Sequence, residues 1–329
     1  TRLQGDWSSD VCSSDLLEYI DDRRVIPIIG WDVMKVVDAG ETVGLDGVIA
    51  ERLAVRLGLP PPGRNRPDPL NDVVAQHEAS GGRTDHLYSR VRAIMREPLP
   101  VPEALRQLAR IPHFKLFIST TFDGLLERAL AEADGTGESG VLSLAYSLAE
   151  HDDLPAGFLA SSQRCVFHLL GRSRSTIPDC VLCQEHMLEY LHHLRRQGVP
   201  EHLADLLRQS HLLLIGNRLN DWVVRFLIRV TKGERLIAPR GCSEILADNS
   251  AEGLGELSRF LRCFSPSTQL PLGGDATAFV AELSERYAQR HPRRPMPEDI
   301  APSARADVNT MPHGAVFISY ASEDVAAAA

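Results

Sequence analysis

The sequence predicts an α/β fold, a doubly wound Rossmann-like sheet that is mainly parallel. Three observations predict it. Short, wholly apolar runs recur along the chain, and the first, VIPIIG (Val25 to Gly30), ends in glycine. Such runs suit strands covered on both faces rather than the alternating strands of a half-exposed sheet. Between the runs lie stretches with helical spacing, such as Ile49, Leu53 and Leu57 at i, i+4 and i+8. Strand and helix signals alternate from Leu17 to about Arg290, the order that builds βαβ units.

After the first strand, a helix is expected at residues 46–58. Residues 59–69 carry five prolines and read as a loop. Pro102 opens a helix to Ala109, where proline in the first turn sacrifices no hydrogen bond. FKLFIST (Phe114 to Thr120) is the second strand, and a helix follows at 124–131. Further strands are expected at Cys165–Leu169 and His211–Ile215, with a weaker one at Glu244–Ala247. The helix after Ile215 would take Asn220 or Asp221 as N-cap, with Trp222 and Phe226 on one face. Asp275 caps the last helix, whose Phe279, Leu283 and Tyr287 are spaced four apart.

The 329 residues allow about one to two domains. No run of 18 apolar residues exists, so no membrane span is expected. Residues 6–16, DWSSDVCSSDL, resemble a translated sequencing adapter, and residues 1–16 are set aside as artefact or disorder. The formal charge of −9 becomes 35 − 41 = −6 without Asp6, Asp10 and Asp15. An acidic chain without a basic run is not built to hold a phosphate backbone, so no nucleic acid is expected.

Outside the adapter-like stretch stand Cys165, Cys180, Cys183, Cys242 and Cys263. Their odd number and irregular spacing suggest reduced thiols and a cytoplasmic location. Cys180-x-x-Cys183, with His186 nearby, is half of a zinc ribbon; no second CxxC exists, so no metal is expected. His192, His193, Arg195 and Arg196 read as a solvated helix face. Residues 292–313 are proline-rich and form a semi-extended linker. GAVFISYASED (Gly314 to Asp324) is then an apolar strand turning into a helix start.

Three of these segments resemble the sirtuin family. ISTTFDGLLERAL (Ile118 to Leu130) resembles its I-T-T-N-Y-D-x-L-L-E segment, and LLLIGNRLNDWVVRFLIR (Leu212 to Arg229) its L-x-x-I-G-x-S-x-x-D-x-x-x-R segment. VIPIIG resembles the first strand. The order is the family's, and residues 17–291 are read as a sirtuin-like domain. VFISYASED, with Ser319, Tyr320, Ser322, Glu323 and Asp324, is similar to the opening strand of bacterial TIR domains. Residues 314–329 are therefore read as the start of a truncated TIR domain, and the chain as a fragment. The pairing implies NAD as ligand or substrate, a homo-oligomer, an unknown trigger and a role in anti-phage defence.

The resemblance also locates departures. The family's turn G-A-G-x-S reads Gly30, Trp31, Asp32, Val33, Met34 here. A carboxylate at Asp32, within about 4 Å of a phosphate, costs on the order of 1–4 kcal/mol. Thr121 stands where the family has the Asn that orients ribose and water, between Thr120 and the retained Asp123. Leu170 stands where the family has its general-base His, a group typically worth about 10²–10⁴-fold. His168, two residues earlier on the strand, shares a face with Leu170 about 7 Å back. It is either a shifted base or a hydrogen-bonded core residue. Gly216 ends its strand at the ligand edge, and Arg218 replaces the family's Ser.

Gly30, Thr120, Asp123 and Gly216 remain as vestigial cofactor contacts, with Asp123 also suited to capping the next helix. The expectation is a regulatory or sensing pseudoenzyme domain, with the TIR domain as NAD-hydrolysing effector. Two alternatives stand beside it: NAD hydrolysis by the sirtuin-like domain itself, or binding of a different nucleotide-derived ligand.

Overall fold

In the computed structural model of the protein, residues 10–38, 40–63, 66–135, 137, 140–173, 180–217, 244–247, 268–269 and 275–292 are described. Two compact units divide the chain, residues 1–287 and 288–329. Of the second, the described residues are a helix end and two residues beyond it. Residues 293–329, with most of the expected linker and the TIR-like strand, lie outside the described residues. So do Arg218 and the helix expected after Ile215.

Among the described residues, seven strands form one sheet. They are β1 (Val25–Ile29), β4 (Leu116–Ser119), β5 (Val141–Ala145), β6 (Arg164–His168), β7 (His211–Ile215), β8 (Glu244–Ala247) and β9 (Thr268–Gln269). Their order is β5-β6-β4-β1-β7-β8-β9, and every neighbouring pair is parallel. The fold is the α/β Rossmann-like arrangement that the apolar runs predict. Pro27 sits inside β1, a central strand, where proline is usually excluded. Register explains it. Gly30 donates its N–H to β7, so the N–H positions of odd-numbered residues face β4, and the ladder with β4 begins only at Ile28. Pro27 therefore removes one donor from the β4 flank and leaves the bonds to β7 intact.

Alternate strand residues feed two cores, as pleating requires. Val25, Ile29, Phe117, Val166, Leu213 and Ile215 face one layer. It holds α1 (Asp10–Asp21), α2 (Leu45–Leu57), α3 (Pro69–Ala79), α4 (Thr84–Met95), α5 (Glu103–Ala109), α6 (Leu125–Asp134) and α9 (Ala276–Arg290). Ile26, Ile28, Leu116, Ile118, Cys165 and Phe167 face the other, with α7 (Gln184–Gln197) and α8 (Glu201–Gln209). Helices thus cover both faces. The first helix reaches back into the adapter-like stretch, and Leu16 is buried beside Leu17 and Ile20.

Several elements, among them β5, α3, α4 and α8, have no counterpart in the sequence reading. A hairpin, β2 (Lys35–Asp38) and β3 (Glu41–Gly44), separates β1 from α2. Its neck is closed where Leu45 donates its N–H to the Met34 carbonyl at 2.8 Å. At the far end of the unit, Asp275 caps α9 by accepting from the Thr277 amide at 3.2 Å, and it pairs with Lys35 of the hairpin.

Candidate functional site

The strand order reverses between β1 and β7: β1 leads to β4 on one side, β7 to β8 on the other. In open sheets of this kind ligands bind in the crevice outside the carboxyl ends at such a point. Here those ends are Gly30 and Gly216. A Cβ on Gly30 would stand 2.3 Å from the Gly216 carbonyl oxygen and 2.5 Å from Asn217 Cα. The Asp32 amide donates to the Gly216 carbonyl at 3.0 Å. Asn217, 1% exposed, ties the edge together. Its Nδ2 donates to the Ile28 carbonyl at 2.8 Å, and its Oδ1 lies 3.2 Å from the Thr120 hydroxyl, which also reaches the Ile29 carbonyl at 3.0 Å. Trp31 meets Phe122 edge to face at 5.2 Å, joining the turns after β1 and β4.

Beside this seam lies a buried polar network. The Ser119 hydroxyl takes the Thr121 amide at 3.1 Å and stands 2.9 Å from the Thr121 hydroxyl. His168, 1% exposed, places Nδ1 at 3.1 Å from the Thr121 carbonyl and Nε2 at 2.7 Å from Glu127 Oε1. The same Glu127 oxygen accepts from the Ser143 hydroxyl at 2.8 Å. Burial works against charge on His168, but the Glu127 carboxylate outweighs it and raises the imidazole above its ordinary range. Burial likewise opposes charge on Glu127, and the adjacent imidazolium holds its carboxyl below the usual value. The two form a buried ion pair. Leu170 is buried in the apolar core two residues on.

Asp123 behaves differently. Its Oδ1 accepts from the Leu125 amide at 3.0 Å at the start of α6, the local capping role its position suggests. Oδ2 is buried without a hydrogen-bond partner, and burial pushes the carboxyl above its ordinary range. Asp123 and Ser173 line a small cleft with Leu99, Arg128 and Met95. The Ser173 hydroxyl is also buried and unpartnered.

The expected site residues therefore gather at one sheet edge, though they do not share one cavity. Gly30, Thr120 and Gly216 lie in the seam, Thr121 and His168 in the network, Asp123 in the cleft. Sequence reading assigned no role to Asn217, Glu127 or Ser173. Glu127 stood inside a quoted segment with no partner visible in sequence. Asn217 bonds mainly to backbone carbonyls, which leave no trace in residue identity. Elsewhere, Cys165, Cys180 and Cys183 are in no disulfide and are all buried. His192, Arg195 and Arg196 are exposed on α7, whereas His193 is half-buried and stacks on His151 at 5.1 Å. Among the described residues no helix is long and apolar enough to cross a membrane.

A family model described as SIR2-like domain matches residues 115–238. The matched stretch runs from β4 past β7 and includes Thr120, Thr121, Asp123, His168, Leu170 and Gly216. Over those residues the chain is similar to SIR2-like domains. No curated protein matches the chain.

NAD can be tested against these residues. A pyrophosphate needs free backbone N–H groups in the turn after β1. The Gly30 and Asp32 amides are spent on β7 carbonyls, and the Asp32 side chain is buried in the same turn. With these amides taken and a carboxylate buried among them, the turn is a poor cradle for a pyrophosphate, and no chemical step is derived through one.

Proposed function

We propose that residues 17–291 are the sensing or scaffolding part of a signalling protein and do no chemistry on NAD. The observation that carries this reading is the state of His168. It is the imidazole nearest the lost base position, and both its ring nitrogens are engaged, one by a carbonyl and one by Glu127. A general base must offer a free lone pair to substrate. The effector, in this reading, is a TIR domain opening with residues 314–329, which hydrolyses NAD once the protein self-associates. A homo-oligomer in anti-phage defence fits that division of labour.

The test is nicotinamide release from NAD by purified protein with a cooperative melt. No release is expected. Release that His168→Ala abolishes would overturn the reading and make this domain the hydrolase.

A second reading draws on the unpartnered Asp123 Oδ2 and Ser173 hydroxyl. The Asp123 carboxyl, which burial pushes above its ordinary range, and a hydroxyl at one cleft would suit a small polar, nucleotide-derived ligand. Mass spectrometry of small molecules released from the purified protein tests it. A bound species that Ser173→Ala discards would favour this reading over a ligand-free scaffold.

A further inference from the structure

Glu78 at the end of α3 and Cys183 and His186 at the start of α7 converge away from the sheet edge. One donor atom from each lies within 4.8 Å of the other two. Nε2 of His186 stands 2.9 Å from Glu78 Oε1. Nδ1 stands 3.3 Å from the Tyr88 hydroxyl, which itself donates to the Cys180 carbonyl at 2.9 Å. The Leu182 amide donates to Nδ1 at 3.4 Å, so Nδ1 is an acceptor and Nε2 carries the hydrogen that faces the carboxylate. The ring is therefore held with Nε2 toward the carboxylate.

We propose that Glu78, Cys183 and His186 form a zinc site. The donor set is one sulfur, one imidazole nitrogen and one carboxylate oxygen. Hard cations such as Mg²⁺ and Ca²⁺ take oxygen ligands, whereas a mixed sulfur, nitrogen and oxygen set suits Zn²⁺. Charge also balances. A thiolate and a carboxylate neutralise the dication, and the imidazole adds none, so a nearly buried site carries no net charge. Cys183 is 6% exposed and the Glu78 side chain 27%. Solvent therefore reaches the site past Glu78, which lets water take the fourth tetrahedral position. Zinc at Nε2 would move the ring hydrogen to Nδ1, where the Tyr88 oxygen can accept it, the outer contact that orients zinc-bound histidines.

The site differs from a CxxC pair. The Cys180 thiol is not among the three donors, and Glu78 comes from a distant helix, so the CxxC spacing alone could not reveal it. Bound zinc would clamp α3 to the start of α7.

The experiment uses the full chain, stripped with a chelator and titrated with Zn²⁺, with metal content by mass spectrometry and stability by thermal melt. A second titration uses Co²⁺, whose thiolate charge-transfer absorption reports a sulfur ligand. One equivalent of zinc, a raised melting temperature and a cobalt–thiolate band are expected. Cys183→Ser should lose the band and Glu78→Gln should weaken binding at least tenfold. Tyr88→Phe keeps all three donors and should weaken zinc by about 10–100-fold. This variant serves if Cys183→Ser fails to fold. Absence of uptake by folded protein would make the cluster a hydrogen-bonded helix cap and overturn the proposal. Stoichiometric uptake unchanged by Glu78→Gln and Tyr88→Phe would overturn it too.

Discussion

His168 Nε2 lies 2.7 Å from Glu127 Oε1, and its Nδ1 faces the Thr121 carbonyl. A carbonyl only accepts, so Nδ1 carries hydrogen. One proton is then left between Nε2 and the carboxylate, and the Ser143 hydroxyl donating to the same oxygen favours the charged carboxylate. Removing one partner of a buried pair strands the other charge, at about 3–5 kcal/mol. Replacing both with apolar residues avoids that penalty. Glu127→Ala is expected to lose stability in that range by urea denaturation, and the double variant His168→Phe, Glu127→Leu to lose clearly less.

The pH dependence follows from the same groups. His168 is raised from its ordinary 6.5, so its contribution is complete below that value and is lost as pH climbs through the folded value. Glu127 is depressed from its ordinary 4.5, so its contribution is complete above that value and fades as pH falls through the folded value. The pair contributes fully between about pH 4.5 and 6.5.

Asp123 has the opposite sign to Glu127. Raised from its ordinary 3.8, it costs stability as pH rises and the buried carboxyl is driven to ionise. Asn at this position keeps the acceptor for the Leu125 amide and carries no charge. Asp123→Asn is expected to exceed the parent in stability at pH 7, with the gap narrowing toward pH 4. Denaturation midpoints across that range check it; a constant gap would be inconsistent with titration of Asp123.

Asn217 stitches three strand ends through one amide. Truncation to Ala removes the buried bond to the Ile28 carbonyl, while the Thr120 hydroxyl keeps the Ile29 carbonyl, at a cost of about 1 kcal/mol. Asn217→Ala should lower the urea midpoint accordingly. Asn217→Asp, which cannot donate to the Ile28 carbonyl, should not restore it.

Two glycines separate backbone strain from crowding. Gly58 ends α2 at φ +71, and a Cβ there meets open space. Gly216 has φ +63, and its Cβ would stand 2.8 Å from the Val33 backbone nitrogen. Gly58→Ala should cost about 1 kcal/mol, from the left-handed backbone alone. Gly216→Ala should cost several times as much or prevent folding, as read from soluble yield and thermal melts.

Much of the sheet was legible because a strand covered on both faces must be apolar throughout. His211–Ile215 and Glu244–Ala247 fall on their expected bounds. The hairpin Lys35–Gly44 escaped because it packs no apolar face of its own beyond Val36 and half-buried Val43. β5 escaped because it is an edge strand with only its ends buried. At the site, Thr120, Thr121 and His168 were legible through a motif. Asn217 and Glu78 were not, because what gives them meaning is a backbone carbonyl or a side chain brought in from another element.

The pairing of β1 with β7 has a consequence for how the chain is made. The two strands lie in register from Val25–His211 to Ile29–Ile215, and 215 − 29 = 186 positions separate the last pair. As the polypeptide leaves the ribosome, β1 can recruit β4 on one flank early. Its other flank, five residues of backbone, must wait for β7. Until then the nascent protein presents an open strand edge, a template on which a neighbouring chain could pair instead. Insertion of β7 is the long-range step that ends this exposure, and such distant pairings are slow to form.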